Sequence, residues 1–397
     1  MTAHMITGVS DPCIHALVIG VGVYQNCGRS TPQGAPGRKL LKELGSPLTC
    51  APLSAIHVAR RLMEMDWTAS TVKLGTIEVL LSSDSADCWP ADLPQPSPKR
   101  ALYDNVRTAW REWVDRCDQH PGNIALLYFC GHGWGGSYLL VEDFAAQINQ
   151  WQRHVIDFNR TRQSMQTCNA LTQHFFLDIC SNEPDELPAM EIRPEDLLDD
   201  NRQEARRRLK RRETTPNNLV LRPTPNGFKS EVPARRVTRF ADALMKTLDG
   251  LGATSKNNTW EIRSRDLPPR MAEVLDWFWP HLGAGDDLTQ TPGDYGRDTL
   301  LRRCPGNPMV PFRLECRPHS ARSDADWELE CLLSNALHPQ PQPGVWEAET
   351  EASSYRITAN WNDGIHEPVT LKAVSIEPAN TTASIEFDAL PSNPKGG

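Results

Sequence analysis

The hydrophobic pattern of the first three quarters of the chain predicts buried strands. Runs at residues 15–20, 124–129 and 175–179 are rich in aliphatic and aromatic residues, and each ends in a glycine or a cysteine. Continuous apolar runs of this length are typical of strands covered on both faces, as in parallel sheets. A similar run predicts a further strand over 72–81.

Between these runs, apolar residues recur at helical spacing. Helices are predicted over 52–65, 104–117, 236–248 and 267–279. The second of these carries its apolar residues at alternating intervals of three and one, which forms a single stripe: Val106, Ala109, Trp110, Trp113, Val114 and Cys117. Strands that alternate with helices up to about residue 303 predict an α/β fold, with a mostly parallel sheet flanked by helices on both faces.

The pattern changes after residue 303. Strand-like segments follow one another at 310–316, 327–333, 354–361, 369–376 and 384–387, with Pro- and Gly-containing turns between them. This spacing predicts a small antiparallel β-rich domain over 304–397. The remainder, 13–303, is predicted to form one larger domain.

Composition narrows the class of protein. The chain has 397 residues, 39% of them apolar, and a net charge of −8, which repels nucleic acid, so no nucleic-acid partner is expected. The apolar run at 14–23 lacks a preceding Lys or Arg and is too short to cross a bilayer. The 11 cysteines include no CxxC pair, which argues against a zinc site or a disulfide framework. These features predict a cytoplasmic protein with reduced thiols and no membrane segment.

Two of the predicted strands end in residues that could perform chemistry. The strand at 124–129 is followed by Cys130-Gly131-His132-Gly133, and the strand at 175–179 by Cys180, which lies 48 residues after His132. Carboxyl ends of parallel strands meet at one edge of a sheet, so the imidazole can face the thiol. A thiol with its ordinary pKa near 8.5 is only a few per cent ionised at neutral pH.

The imidazole of His132 would correct this by accepting the thiol proton or by stabilising the thiolate of Cys180 as an ion pair. The backbone N–H groups of Gly133 and Cys180 are candidate donors for an oxyanion hole. The simpler alternatives are that Cys180 is a small buried hydrophobic residue and that His132 has a structural place in a glycine turn.

These motifs resemble those of caspase-like cysteine peptidases, in particular metacaspases, paracaspases and their bacterial relatives. The matching segments are the first strand at 16–24, the segment 51–55 at the start of a helix, the His motif at 129–133 and the Cys motif at 178–180. The stretch 225–231 and the helix at 237–248 also resemble the small-subunit half of these peptidases.

The resemblance covers about 13–303. It implies a caspase–haemoglobinase fold and peptide-bond hydrolysis through a thioester. It also implies a large-subunit-like half over 13–182, a charged linker over 183–217 and a small-subunit-like half over 218–303.

The resemblance also bears on substrate choice. Basic-specific members hold Arg or Lys at the residue before the scissile bond (P1) with acidic residues in the S1 pocket, and Asp178 matches one of them. The second acidic position is occupied here by Ser54, a departure that Glu231 or Asp143 could compensate. A basic P1 residue is therefore expected. Two other interpretations stay open: Asp178 as a strand-end carboxylate bonded to local backbone, and a peptidase with a non-basic preference.

Two other kinds of charged segment could either have a function or simply form solvated surface. The basic run at 202–212 suits either a linker that is cut by an Arg-specific enzyme or a solvated charged helix. Many metacaspases are activated by Ca²⁺, for which two acidic pairs are candidates, but no EF-hand spacing is present and surface charge is the simpler interpretation. The pairs are Glu195 with Asp196 and Asp199 with Asp200. No obligatory cofactor is expected.

The expected partner is a protein substrate, with a possible activating partner at the β-rich C-terminal region. The resemblance implies a regulated protease in antiviral defence or cell death. Two other hypotheses remain: a caspase-like binding protein without activity, and a nucleotide-binding protein suggested by Gly20-Val-Gly22. The latter lacks the third glycine of the dinucleotide fingerprint, since Gln25 stands there.

Overall fold

The computed structural model describes most of the chain. The described residues are 4–5, 12–27, 42, 47–85, 88–94, 96–134, 137–144, 154–179, 216–223, 236–279, 289–290, 298–317, 319–342, 344, 346–363, 366–378 and 384–388. They divide into two compact units: the first contains the described residues of 1–245 and 281–302, and the second those of 246–280 and 303–397.

The strands are, in chain order, β1 His4–Met5, β2 Cys13–Val21, β3 Lys73–Ser82, β4 Ile124–Gly131, β5 Gly133–Trp134, β6 Tyr138–Leu140, β7 Val155–Asp157, β8 Thr172–Ile179, β9 Asn217–Arg222, β10 Thr254–Lys256, β11 Thr259–Arg263, β12 Thr289–Gln290, β13 Leu300–Arg303, β14 Met309–Arg317, β15 Ala325–Cys331, β16 Leu337–Pro339, β17 Glu347–Glu351, β18 Ser353–Trp361, β19 Val369–Ile376 and β20 Ser384–Asp388.

The α-helices are α1 Cys50–Glu64, α2 Tyr103–Asp118, α3 Phe158–Met165, α4 Arg239–Lys246 and α5 Leu267–Phe278. A π-helical turn, Thr247–Leu251, follows α4 directly, and a 3₁₀ turn, His319–Arg322, follows β14.

A seven-stranded sheet organises the first unit, in the order β1-β3-β2-β4-β8-β9-β12. The five central strands run parallel, and the short strands β1 and β12 pair antiparallel at the two edges. The prediction of a mixed α/β fold with a mostly parallel central sheet is confirmed. The strands β2, β4 and β8 are buried along their whole length, as expected for a sheet covered on both faces.

Helices cover both faces of this sheet. On one face, alternate residues of β2, β4 and β8 form a core with α2 and α3, in which Trp110, Trp113 and Phe158 are among the largest buried side chains. On the other face, α1 lies so close to β2 that a Cβ on Gly20 would come within 2.7 Å of Ala55 Cβ. Side chains alternate along a strand, so each strand supplies both cores.

The second unit is built mainly of strands. The strand β14 pairs antiparallel with β17 and parallel with β20, while β15, β16, β18 and β19 form an antiparallel sheet in the order β16-β15-β18-β19. A core rich in aromatic side chains, including Trp327, Trp346 and Tyr355, is buried within this unit. The prediction of a β-rich C-terminal region is confirmed, although one of its strand pairs is parallel rather than antiparallel.

The second unit also contains residues 246–280, which the sequence assigned to the larger domain. The boundary expected at 303/304 and the division into subunit-like halves stay predictions. Most of the linker expected at 183–217, including the basic run at 202–212 and the acidic residues Glu195, Asp196, Asp199 and Asp200, lies outside the described residues.

Candidate active site

His132 follows the carboxyl end of β4 and is held through its backbone. Its N–H donates to the hydroxyl of Tyr24 at 2.6 Å, and its carbonyl accepts from the N–H of Leu140 at 3.1 Å. The Tyr24 hydroxyl in turn donates to the carbonyl of Val21 at 3.4 Å. The rings of Tyr24 and His132 lie 5.0 Å apart at 37°. The residue is therefore fixed on both sides of its Cα atom, and the tyrosine ring lies against the imidazole.

This position is the switch point of the sheet. The chain passes from β2 to β3 on one side and then to β4 on the other side of β2. Connections that diverge in this way leave a crevice at the carboxyl ends of the two strands, where open α/β sheets bind ligands. Tyr24 follows β2 and His132 follows β4, so both lie at that crevice.

The imidazole of His132 is largely shielded from water. Burial lowers its pKa from 6.5 to about 4, since the charged form loses hydration that nothing replaces. Its Nε2 atom is buried and makes no hydrogen bond to any residue that the structure describes. A buried polar atom without a partner costs free energy and is uncommon in native proteins, so a specific reason for it is expected.

The strand β8 ends at the same edge, one residue before Cys180 in the sequence. The strands β4 and β8 pair in parallel, with Cys130 opposite Asp178 and Gly131 opposite Ile179. In the sequence, His132 directly follows Gly131, and Cys180 directly follows Ile179. Cys180 itself lies outside the described residues, and so does Glu231.

The two glycines beside His132 make room for other parts of the chain. A Cβ on Gly131 would lie 3.0 Å from the Tyr24 hydroxyl. A Cβ on Gly133, the predicted oxyanion donor, would lie 2.8 Å from the carbonyl oxygen of Tyr138 and 2.9 Å from Cδ1 of Ile179. Because real Cβ atoms do not approach so closely, glycine at 133 lets the chain pass beside the end of β8.

Asp178 lies at the centre of a buried hydrogen-bond network. Its Oδ2 atom accepts from the hydroxyl of Tyr128 at 2.8 Å and from the hydroxyl of Thr238. Ser54 accepts from the N–H of Thr238 at 2.9 Å and donates to its hydroxyl at 3.2 Å. The N–H of Ala241 donates to the same hydroxyl at 3.2 Å, so Thr238 also caps the start of α4.

Burial dominates the electrostatics of this network. It raises the pKa of Asp178, although the hydroxyls of Thr238 and Tyr128 and the thiol of Cys130 oppose that rise by donating to the carboxylate. Burial and the nearby Asp178 carboxylate raise the pKa of Tyr128 well above its ordinary value. The donors therefore keep their protons, and the carboxylate is the acceptor on which they converge.

The predicted S1 residues are only partly brought together. Ser54 and Asp178 meet through Thr238, and Ser54 is fully buried while Asp178 is 8% exposed. Asp143, suggested as a replacement for the missing carboxylate, accepts from the N–H of Tyr103 at 2.8 Å and lies 3.1 Å from Nδ1 of His154. The roles proposed for Ser54, Asp178 and Glu231 stay predictions.

Sequence reasoning missed Tyr24, Tyr128 and Thr238. Tyr24 follows a buried strand and a Gly-Val-Gly turn, a place where a site residue could have been sought. Tyr128 lies inside an apolar run, where the pattern predicts only a buried core position. Thr238 lies 60 residues from Asp178 and 184 from Ser54, and no local pattern links the three.

The glycines that suggested a nucleotide site have a packing explanation. A Cβ on Gly20 would come within 2.8 Å of the carbonyl oxygen of Ala51, and one on Gly22 within 2.9 Å of that of Leu48. Both glycines therefore allow α1 and the segment before it to pack closely on the end of β2. This packing accounts for the Gly-x-Gly pattern without a nucleotide.

Among the described residues, no group of three or more His, Cys, Asp or Glu side chains is arranged to hold a metal ion. In the same part of the chain, every helix is too short or too polar to span a bilayer.

No family model matches the chain. It is 24% identical over 264 residues to the uncharacterized protein y4kE of Sinorhizobium fredii, a match that covers 65% of this chain and 74% of y4kE.

Two solved structures show weak likeness. Caspase-1 from Spodoptera frugiperda aligns over 77% of this chain and 97% of its own, with a TM-score of 0.38 and 10% identity. Protein GSU0716 from Geobacter sulfurreducens aligns over 72% and 97%, with a TM-score of 0.39 and 13% identity. These values are too low to support an inference about fold or activity.

Proposed function

We propose that this chain is a caspase-like cysteine endopeptidase in which His132 and Cys180 form the catalytic pair. The observation that carries the proposal is the register of β4 and β8, which pairs Gly131 with Ile179. In the sequence, His132 directly follows β4 and Cys180 directly follows β8. Because consecutive Cα atoms are only about 3.8 Å apart, the proposal requires only a short reach from the Gly131–Ile179 pair to the two side chains.

The state of His132 favours one of the two ways in which an imidazole activates a thiol. With a pKa of about 4, the imidazole is neutral at neutral pH before substrate binds. A neutral imidazole whose Nε2 has no partner among the described residues has a lone pair available for a proton, although burial makes it a weaker base than an imidazole in water. We therefore propose that His132 takes the proton of the Cys180 thiol as that sulfur attacks the peptide carbonyl.

The covalent chemistry then has two steps. The thiolate forms a bond to the carbonyl carbon, and the negative charge on the carbonyl oxygen is held by the N–H groups of Gly133 and Cys180. The amine leaves with the proton that His132 accepted, which gives a thioester. Water, deprotonated by the same imidazole, hydrolyses the thioester and restores the thiol.

Asp178 is the proposed determinant of a basic P1 residue. Of the predicted S1 carboxylates that the structure describes, Asp178 and Asp143, it is the one that lies in β8 two residues before Cys180. The second family carboxylate is replaced by the hydroxyl of Ser54, which is fully buried. A single carboxylate holds a guanidinium or ammonium group less strongly than two would, so the preference for Arg or Lys is expected to be moderate.

A labelling experiment tests the catalytic pair. The purified chain is treated with a peptidyl chloromethylketone that ends in Arg, and the modified residue is identified by mass spectrometry. We expect one adduct on Cys180, no adduct on Cys180→Ala, and labelling slowed by orders of magnitude in His132→Ala. A folded protein that takes no label would instead support the caspase-like binding protein without activity.

Substrate profiling tests the pocket separately. A peptide library should show cleavage after Arg and Lys, and Asp178→Asn should lose this preference more than it loses cleavage of other peptides. Cleavage after Asp would overturn the basic-pocket assignment but leave the catalytic pair intact. Equal loss on all peptides would assign Asp178 to the support of the fold.

A further inference from the structure

The backbone of His132 is part of a closed ring of hydrogen bonds. Its N–H donates to the hydroxyl of Tyr24 at 2.6 Å, and its carbonyl accepts from the N–H of Leu140 at 3.1 Å. The segments that contain these two supports, 24–26 and 140–144, are also bonded to each other. Together these contacts form the hydrogen-bond ring, in which each support of His132 is held by the other.

Asn26 supplies most of the junction between the two segments. Its Nδ2 atom donates to the carbonyl of Asp143 at 3.3 Å and to that of Phe144 at 3.1 Å. One residue earlier, the N–H of Gln25 donates to the carbonyl of Glu142 at 3.2 Å. The turn after β2 is thus tied to the segment after β6 by one backbone group and by one side chain that donates twice.

The segment after β6 is anchored by contacts of its own. Glu142 is fully buried, and its Oε2 atom accepts from the hydroxyl of Ser82 at 2.5 Å and from Nε of Arg100 at 2.9 Å. The Oδ1 atom of Asp143 accepts from the N–H of Tyr103, the first residue of α2, at 2.8 Å. Because this segment is fixed, its carbonyls determine where the turn after β2 lies.

The turn after β2 reaches His132 through Tyr24. The tyrosine hydroxyl accepts from the N–H of His132 and donates to the carbonyl of Val21 at 3.4 Å. Tyr24 is 5% exposed, and its aromatic ring lies 5.0 Å from the imidazole. A shift of Tyr24 therefore moves the imidazole, and misplacement of a reacting group by about 1 Å can cost about 100-fold in rate.

We propose that Asn26 is a positioning residue that holds His132 through the hydroxyl of Tyr24. This inference rests on the proposed peptidase function where it concerns the rate, whereas the hydrogen-bond ring is tested without it. The role implies that Asn26 affects catalysis only while the Tyr24 hydroxyl is present. A side chain that served only to support the fold would not show this dependence.

A double-mutant cycle tests that dependence. Asn26→Ala should lower kcat on an Arg-containing fluorogenic peptide by about threefold with KM unchanged, since His132 is displaced but the substrate is not touched. Asn26→Asp, which keeps the shape but loses the donor, should behave alike. Adding Tyr24→Phe to Asn26→Ala should lower kcat no further than Tyr24→Phe alone. Losses that multiply in the double variant, or an unchanged kcat in both Asn26 variants, would overturn the proposal.

Asn123 is the matched control at the opposite edge of the sheet, directly before β4. Its Nδ2 atom also donates to two consecutive carbonyls, those of Arg116 at 3.2 Å and Cys117 at 3.3 Å, and its Oδ1 atom accepts from the N–H of Cys13 at 2.9 Å. Asn123→Ala should therefore cost at least as much unfolding free energy as Asn26→Ala and yet leave kcat unchanged. Loss of kcat in proportion to stability in both variants would reduce Asn26 to a supporting role.

A second control is available if Asn123→Ala does not fold. Asn169→Ala then replaces it, because the Nδ2 atom of Asn169 donates to the carbonyl of Asp118 at 2.9 Å, also far from His132 in the sequence. The expected result is the same, a fall in stability with kcat unchanged.

Hydrogen exchange tests the hydrogen-bond ring without reference to catalysis. Exchange at the N–H of His132, followed by mass spectrometry, should be about threefold faster in Asn26→Ala than in the wild type, because local opening becomes easier. Asn123→Ala should leave it unchanged. This result in a chain that takes no chloromethylketone label would support the positioning of His132 and remove the peptidase assignment. Equal exchange in wild type and Asn26→Ala, in a chain that does take the label, would overturn the positioning and keep the peptidase.

Discussion

Asp178 and His132 are two titratable groups at the ends of neighbouring strands, the first buried and the second partly buried with a buried Nε2 atom, and their surroundings differ sharply. The side chain of Asp178 accepts hydrogen bonds from the hydroxyls of Tyr128 and Thr238, which belong to different elements. The Nε2 atom of His132 makes no hydrogen bond to the described residues, although the backbone N–H of His132 donates to the hydroxyl of Tyr24. One group is satisfied by the fold, and the other is held in place while its reactive atom is left open.

This difference distinguishes Asp178, whose hydrogen bonds stabilise the fold, from His132, whose Nε2 makes no hydrogen bond to the described residues. A carboxylate that ties β4, β8, α1 and the start of α4 together contributes to stability through every bond it accepts. An imidazole with a buried, unpartnered nitrogen costs stability. His15 and His174 share this feature, and His132 differs from them in following the carboxyl end of β4. The comparison predicts that changes at 178 lower the stability of the fold in addition to their effect on the proposed P1 preference, whereas changes at 132 act mainly on activity.

The largest expected effect is on catalysis by His132→Ala. Loss of a general base typically lowers the rate by about 10³-fold, or about 4 kcal/mol of transition-state stabilisation. The melting temperature should stay close to that of the wild type, because Nε2 makes no bond to the described residues. The measurement is kcat/KM on an Arg-containing fluorogenic peptide beside a thermal melt. A large fall in melting temperature with little loss of activity would reverse the comparison.

Asp178→Ala should have the largest effect on stability. It leaves the hydroxyls of Tyr128 and Thr238 without an acceptor in a buried place, which should cost about 3 kcal/mol in the free energy of unfolding. Asp178→Asn is the matched control, since its amide oxygen can still accept and the cost should be about 1 kcal/mol. Denaturant unfolding measures both. Equal stability of the two variants would contradict the network.

The lowered pKa of His132 predicts a dependence of stability on pH. The group titrates at 6.5 when unfolded and at about 4 when folded, so the unfolded state binds more protons between these values. Its contribution is unchanged above pH 6.5 and is lost as the pH falls towards 4, by about 3 kcal/mol in total. Below pH 4 no further loss follows.

The variant His132→Gln isolates this contribution. Burial also lowers the pKa values of His15 and His174, to about 4 and about 3, so the wild type has several sources of acid sensitivity. The difference in unfolding free energy between wild type and variant should therefore change with pH, by about 2 kcal/mol from pH 7 to pH 5. Curves that stay parallel over this range would show that His132 is not buried in solution.

Much of the sheet was predictable because its strands carry long apolar runs. The predicted strands at 124–129 and 175–179 correspond to β4, Ile124–Gly131, and β8, Thr172–Ile179, with the ends displaced by two or three residues. The helix predicted at 104–117 corresponds to Tyr103–Asp118. In each case burial on a covered face fixes both the residue type and its periodicity.

The network around Asp178 was not predictable, since it depends on tertiary contacts. Thr238 gave no signal of its own, and its hydroxyl reaches Asp178 only because α4 begins beside the end of β8. Hydrogen-bond partners that are distant in sequence leave no periodic trace, so these residues emerge only from the fold.

The smallest effect, and the finest test of the comparison, comes from two tyrosine hydroxyls. Tyr24→Phe removes the acceptor of the His132 N–H, and Tyr128→Phe removes one of the donors to Asp178. Each should lower the unfolding free energy by about 1 kcal/mol, the usual value of a single hydrogen bond. Only Tyr24→Phe should also lower kcat, by about fivefold with KM unchanged, because only this hydroxyl positions the catalytic imidazole. If both variants lose activity only in proportion to their loss of stability, Tyr24 and Tyr128 both serve only to support the fold. The difference between His132 and Asp178 would then not extend to the tyrosines that bond to them.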